Sequence, residues 1–410
     1  IINEINFLMD IRIKKFFPNL SQAIWMGSFI LVIPFLIGIE QYGYFAKLYS
    51  IPSILAGIID SYYLSTSSEK DFFNYQSLKK PLMRLINYIN IMIIIFLLLI
   101  LIGFKLNLQT NLLASLAIFN SLFLRWNTTF IFHRVRKENI LKDSTIFEIL
   151  NISFYFFAFS IFFILVKNGL LKSDYLFLIP CIIISISGTI MFYYSQFKIR
   201  NLIQKDLKIK EQNKSVQKNF NFIFKIIFFR SYEDIFISIM PLIFFDIFGS
   251  AIAGEARIAI SIMKGISKIF PHRYDLFIYR ELNNKDYLKE FYKDAKGFIS
   301  TFIFLFLSLI LFFSLLKIEF FQIIYKNYIL TSWSLFIFSA PFFAVLASIT
   351  PYLNKLNLNF NFIWIVPLSI SYIISFVFAS LNLASFSFLL SNIFILFFLK
   401  TKLNRHFSIK

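Results

Sequence analysis

The chain has 410 residues, of which 58% are hydrophobic, 20% aromatic and only 15% charged, with a formal net charge of +19. Its mean hydropathy is +0.72. No soluble domain of this size needs so much apolar surface, so the expected class is an all-α polytopic membrane protein. The single cysteine, Cys181, lies inside an apolar run, which leaves no disulfide framework and no thiolate metal site. His133, His272 and His406 sit at or beyond the edges of apolar runs and too far apart in sequence to suggest a metal cluster. No cofactor is expected.

Apolar runs of about 17 to 25 residues read as spanning helices. Twelve occur: Leu20 to Ile39, Tyr44 to Thr66, Leu85 to Gly103, Leu112 to Phe132, Ile146 to Val166, Tyr175 to Tyr194, Phe222 to Ile247, Ala253 to Ile269, Phe298 to Leu316, Leu330 to Tyr352, Phe362 to Phe378 and Leu381 to Phe398. No short apolar segment with a small-residue cleavage site is evident, so the first span is expected to serve as the targeting signal. With the amino terminus inside, cytoplasmic segments hold 29 Lys and Arg, the opposite side five and the spans seven. That bias predicts both termini on the cytoplasmic side. It also accounts for the positive charge through the anionic inner leaflet, without nucleic acid.

The longest loop, FKIRNLIQKDLKIKEQNKSVQKNF, divides six spans from six. The expected organisation is two six-helix bundles around a central cavity, 1–198 and 222–410, joined by a basic cytoplasmic linker, 199–221. Shifting the second half over the first by 211 residues lays Gly254 on Gly43, Ser261 on Ser50 and Pro271 on Asp60. Spans two and eight are therefore candidate equivalents in parallel repeats flanking a central site.

The stretch from Phe222 to Lys296 carries the most telling charges. Arg230, Glu233, Asp234, Arg257, Lys264 and Lys268 lie within runs long enough to cross a bilayer. A charge at that depth is costly unless it faces protein or water, so each is a functional candidate. On a helix, Arg257, Ser261, Lys264 and Lys268 share one face, as do Arg230, Asp234, Ser238 and Pro241. Simpler readings pair Arg230 with Asp234 or Glu233 at helical spacing and let Lys264 and Lys268 snorkel to the cytoplasmic interface. Under the 211-residue shift the first face corresponds to Ala46, Ser50, Ser53 and Gly57: small groups in one half, cations in the other. The first half adds Lys47, Asp60 and Arg125. Asp60 is read first as an end cap or a partner of a loop Lys, and Arg125, inside LFLRWNTTF, as a functional candidate unless it snorkels toward the inner surface.

Enzymatic chemistry finds little support. There is no phosphate-cradling glycine loop, no His and Glu metal constellation and no nucleophile beside a base. The outer loops are short, whereas sugar polymerases carry catalytic residues on sizeable ones.

The break after span one at IGIEQYGYFAKLYS, the run GIIDSYYLSTSS closing span two, and AGEARIAISIMKGISKIFPHRYDLFIYRE around span eight together resemble the Wzx-type oligosaccharide flippases of polysaccharide biosynthesis. That family belongs to an exporter superfamily that includes the multidrug and toxic-compound extruders and the lipid II flippases. The resemblance covers essentially the whole chain. It implies translocation of undecaprenyl-diphosphate-linked oligosaccharide, such as an O-antigen repeat unit, across the bacterial inner membrane by alternating access. It implies no metal or catalytic residue, membrane lipids and polysaccharide polymerase machinery as partners, and a proton or sodium ion as coupling ion. Arg125, Arg230, Arg257, Lys264 and Lys47 would then bind the diphosphate. Glu233, Asp234 and Asp60 would serve in salt bridges or coupling-ion binding. A drug or organic-cation exporter of the same superfamily would want an acidic, aromatic site instead, and a membrane-embedded sugar polymerase would show a defect in chain elongation.

Overall fold

The structure is a computed structural model and describes residues 32–66, 69–104, 109–134, 138–206, 238–270, 284–316, 335–355, 369, 373–374, 376–378 and 380–407. Among the described residues every regular element is a helix. We number the long ones α1 (Ile39–Thr66), α2 (Glu69–Ile102), α3 (Thr110–Arg134), α4 (Glu138–Lys167), α5 (Leu178–Asp206), α6 (Ser250–Ile269), α7 (Asn284–Leu316), α8 (Ala340–Lys355) and α9 (Leu381–Phe407). Ser173–Tyr175 forms one 3-10 turn before α5. Each helix covers an expected span, but α2, α4, α5, α7 and α9 extend past it at the ends expected in the cytoplasm. Apolarity marks only the lipid-buried part of a helix, and the polar continuation stays helical. The expected spans Leu20 to Ile39, Phe222 to Ile247 and Phe362 to Phe378 lie largely outside the described residues, as do 207–221 of the linker.

Two breaks are shorter than the sequence suggests. The expected gaps after spans one and seven, at 40–43 and at SAIAG, are already helical in α1 and α6. One glycine makes each break: Gly38 has φ 82° and Gly249 φ 91°. An L side chain in that left-handed region costs about 1–2 kcal/mol, and glycine avoids the penalty. The hydrogen bonds around the two glycines match. The Gly38 N–H donates to the Pro34 carbonyl at 2.9 Å and the Tyr42 N–H to the Gly38 carbonyl at 3.0 Å; the Gly249 N–H donates to the Phe245 carbonyl at 3.0 Å and the Ala253 N–H to the Gly249 carbonyl at 3.2 Å. Every group in the second set lies 211 residues after its counterpart, so the internal repeat is visible in the backbone. A third difference falls in the expected span Leu330 to Tyr352. There the helix is interrupted at Ser339, whose N–H is shared between the Leu335 and Phe336 carbonyls just before Pro341.

The helices bury asparagine and serine among apolar side chains and turn other large apolar side chains outward. On α2, Met83, Asn87, Asn90, Ile94, Leu97 and Leu101 are buried, while Leu82, Leu85, Ile89 and Met92 face outward. On α9, Ser385, Phe388, Asn392, Ile395 and Leu399 are buried, while Phe386, Leu390, Phe394 and Phe397 are exposed, Phe397 to 70%. Both helices are long and apolar enough to cross a bilayer, at Pro81–Ile102 and Asn382–Arg405. Phenylalanine stripes turned outward over buried asparagine and serine are stable only where the surroundings are hydrocarbon. The chain is a membrane protein on this ground.

The described residues fall into two compact units, one within Leu31–Glu255 and one within Ala256–Lys410. In the first, α3 and α5 form the centre, and α1, α2 and α4 pack around them. Small residues permit the close approach: Ala114, Ala117 and Ser121 on α3 face Cys181, Ser185 and Gly188 on α5, and a Cβ on Gly188 would overlap Ser121. The Ser121 hydroxyl donates to the Ile184 carbonyl. Asn90 ties α2 to this pair, donating from Nδ2 to the Ser185 carbonyl and the Thr189 hydroxyl, both at 3.0 Å. In the second unit α8 packs on α7 and α9. Aromatic rings fill its interior, with Phe270 edge-on to Phe291 at 5.7 Å and Phe336 against Phe388 at 5.3 Å.

The tightest approach in the first unit joins α1 to the start of α6. A Cβ on Gly43 would overlap the Ser250 carbonyl, and one on Gly254 would collide with the Ile39 carbonyl. Gly43→Ala and Gly254→Ala are expected to lower the stability of detergent-purified protein by about 1–3 kcal/mol, because backbone atoms cannot retreat as a flexible side chain can. Gly297→Ala, in α7 with open space around it, should leave stability unchanged or raise it by about 0.5–1 kcal/mol. Heating followed by size-exclusion chromatography separates these outcomes, and equal melting of all three variants would contradict the close crossing.

Candidate functional site

Helix α6 is the most amphipathic of the described helices. Arg257, Ser261, Lys264 and Lys268 fall on one side, and Ile258, Ile262 and Ile269 on the other. Arg257 and Lys264 are half-buried, with the buried Ala253, Ile260, Ser261 and Gly265 around them. Ile269 is exposed, and Ile258 and Ile262 are half-buried. Arg257 and Lys264 are thus as enclosed as Ile258 and Ile262, and of these residues only Ile269 is exposed. Arg257 and Lys264 both engage neighbouring groups.

The corresponding face of α1 is of another kind. Ala46, Ser50 and Ser53 are buried. The Ser50 hydroxyl donates to the Ala46 carbonyl at 2.8 Å and the Ser53 hydroxyl to the Ser50 carbonyl at 2.9 Å. Both donors are spent within the helix, so this face serves packing.

A second polar group gathers where α1, α5 and the helix Ser238–Phe248 begin or end on the side expected to be external. Lys47 Nζ lies 3.0 Å from Asp246 Oδ1 and 4.1 Å from the centroid of the Phe245 ring. Tyr44 packs edge-on against Phe245 at 5.1 Å and lies 6.3 Å from Phe177, which is 6.3 Å from Tyr175. Lys172 sits over the Tyr175 ring at 5.0 Å. The reason Lys47 meets Asp246 lies in the glycine crossing. The pairs Ile39 with Gly254, Gly43 with Ser250 and Lys47 with Asp246 advance by four residues in opposite directions along the two segments. The ion pair continues the backbone contacts by one helical turn.

Of the residues expected at a site, Arg257 and Lys264 share one face of α6 and are half-buried, whereas Lys47 belongs to the separate group with Asp246. Asp60 and Arg125 lie within α1 and α3, and Lys268 within α6, but their side chains are outside what the structure describes. Arg230, Glu233 and Asp234 lie outside the described residues. Two acidic groups escaped the sequence reading. Asp246, in IFFDIFG, is an acid at the outer end of a span, and that position beside a lysine-bearing span was the available signal. Glu255, beside Gly254, buries its Oε2 with no hydrogen-bond partner among the described residues. It lies on the side of α6 away from the cations. Among the described residues no group of three His, Cys, Asp or Glu could hold a metal ion.

No protein-family model and no curated protein matches the chain. A solved structure called "protein A" is similar to it over 98% of this chain and 95% of that one, with 15% identity and a TM-score of 0.52. A crystal structure of MATE in complex with MaL6 overlaps 92% of this chain and 93% of its own at 12% identity, with a TM-score of 0.41. The first likeness is one of fold and runs nearly the whole length of both chains.

Whether the cationic face of α6 meets water while Ile258 and Ile262 meet lipid is testable by labelling, because the native Cys181 is fully enclosed and should not react. Cysteine placed at Arg257 or Lys264 is expected to react with a charged, membrane-impermeant thiol reagent in open membranes. Cysteine at Ile258 or Ile262 should react at least about tenfold more slowly, since hydrocarbon excludes both reagent and thiolate. Equal rates at all four positions would place the cations against lipid.

Proposed function

We propose that the protein is a flippase that carries an undecaprenyl-diphosphate-linked oligosaccharide across the bacterial inner membrane by alternating access. Two six-helix bundles, 1–198 and 222–410, would flank the path. The observation that carries this reading is the cationic stripe of α6, where Arg257 and Lys264, both half-buried, share one helix face with the buried Ser261. A diphosphate cannot enter hydrocarbon alone. A guanidinium in a poorly hydrated cleft meets its oxygens with charge-assisted hydrogen bonds, while the prenyl tail stays in lipid.

Arg125 and Arg230 complete the proposed anion set, and Lys47 joins it at the outer end. Glu233, Asp234 and Asp60 are proposed as ion-pair or coupling-ion residues, with a proton or sodium ion as the driving species. The cationic face runs against an organic-cation exporter, which would place acids there. The polymerase alternative is left to the experiment.

Arg257→Gln and Lys264→Gln should each weaken headgroup binding by about tenfold to a hundredfold, the cost of a lost hydrogen bond to a charged group. In cells the expected result is loss of surface glycan, with complete lipid-linked repeat units retained in the cytoplasmic leaflet. Shortened glycan on single externalised units would indicate a polymerase. Wild-type glycan at normal protein levels in the double variant would end the anion-site reading.

A further inference from the structure

We infer that Asp246 is a built-in counter-anion that occupies Lys47 until a phosphate oxyanion of the substrate headgroup displaces it at the outer end of the path. This rests on the flippase reading above and adds to it the means by which one cation of the path is kept filled between substrates.

The geometry separates the roles of the partners. Lys47 is held from two directions, by the Asp246 carboxylate at 3.0 Å and by the Phe245 ring at 4.1 Å from the centroid. Its side chain is 38% exposed, against 61% for Asp246. The carboxylate is thus the wetter partner, and rehydrating it costs little when it leaves. The ammonium keeps its ring contact when the carboxylate goes, so the cation stays in place while its counter-ion changes.

Position adds to the argument. The ion pair is not what joins α1 to Ser238–Phe248 and α6, because Tyr44 already packs on Phe245 and the Gly43 and Gly254 crossings bring backbones together. An exposed pair of this kind shifts an equilibrium by no more than about fivefold. That is too little to lock a helix crossing and enough to tune a binding site. An incoming phosphate ester brings more negative charge and more acceptor oxygens than the single carboxylate it replaces. Lys172, on Tyr175 at 5.0 Å, lies along the same run of rings, so displacement of Asp246 exposes a surface with aromatic and cationic character.

The experiment uses the full chain in lipid nanodiscs, titrated with farnesyl diphosphate in one arm and inorganic pyrophosphate in the other. Asp246→Asn removes the competitor and keeps the shape. It should bind farnesyl diphosphate about two- to fivefold more tightly than wild type, the range set by an exposed ion pair. Lys47→Gln should bind more weakly, and Lys47→Gln with Asp246→Asn should match Lys47→Gln alone. Equal tightening toward pyrophosphate assigns the exchange to any phosphate oxyanion; tightening toward the prenyl compound alone assigns it to a lipid headgroup. Asp246→Ser, as a second folded variant, should behave like Asp246→Asn. Unchanged or weaker binding in both Asp246 variants overturns the inference, as does tightening that persists without Lys47. Wild-type binding that depends on Arg257 but ignores Asp246 removes this inference and leaves the flippase reading standing. Absence of binding to any form removes both.

Discussion

The closest physical constraint in the described structure is that two helices touch through their backbones. Helices in a membrane gain nothing from leaving lipid for one another, so association depends on how near the chains can come. At Gly43 and Gly254 the approach is so near that a single methyl group would strike a carbonyl. Much else follows from that contact. Stepping one turn along each segment brings Lys47 to Asp246. The same glycine that permits the crossing on α6 fixes where Glu255 and Arg257 fall, one and three residues later. A crossing made by side chains could slide, and the charged groups near it would slide with it.

The two contacts of the crossing are images of one another, since Ser250 and Gly254 lie 211 residues after Ile39 and Gly43. The kinks at Gly38 and Gly249 repeat at the same interval, down to the hydrogen bonds that flank them. Duplicated backbone geometry with diverged side chains is what an ancient internal repeat should leave behind, because a glycine required by φ or by contact tolerates no replacement while its neighbours do. The pairs Ala46 and Arg257, Ser50 and Ser261, Ser53 and Lys264 occupy matching places on the two helices. On α1 these are buried and spend their hydroxyls on the helix itself. On α6 two of the matching places hold the cations Arg257 and Lys264, and Ser261 keeps the third.

The sequence carried the class of the fold and most helix positions because hydropathy measures the property the bilayer selects. It also carried the repeat, through Gly43 and Gly254, although three matched residues understated a correspondence that includes Gly38 and Gly249. Break lengths were not legible. A stretch such as SAIAG looks like a loop by composition, yet one positive-φ glycine suffices to redirect the chain and the remaining residues stay helical. The Lys47 to Asp246 pair was hidden for a different reason: its members are 199 residues apart and meet only because the glycine crossing sets the register. The cationic stripe of α6 was legible from spacing alone. That Arg257 and Lys264 are half-buried needed the structure, because a sequence does not state burial.

A membrane helix that carries Arg257 and Lys264 bears a cost of about 2.5–3.5 kcal/mol for each cation near its centre on the insertion scale. The matching helix α1 shows that this fold does not require them, since serine and alanine fill those places and pack well. Both cations are half-buried and engage neighbouring groups, which lowers that cost. Stability is carried by what the repeats share, the glycine kinks and the backbone crossing. What they do not share is a row of positive charge on one copy only, and the proposed anion site rests on that asymmetry.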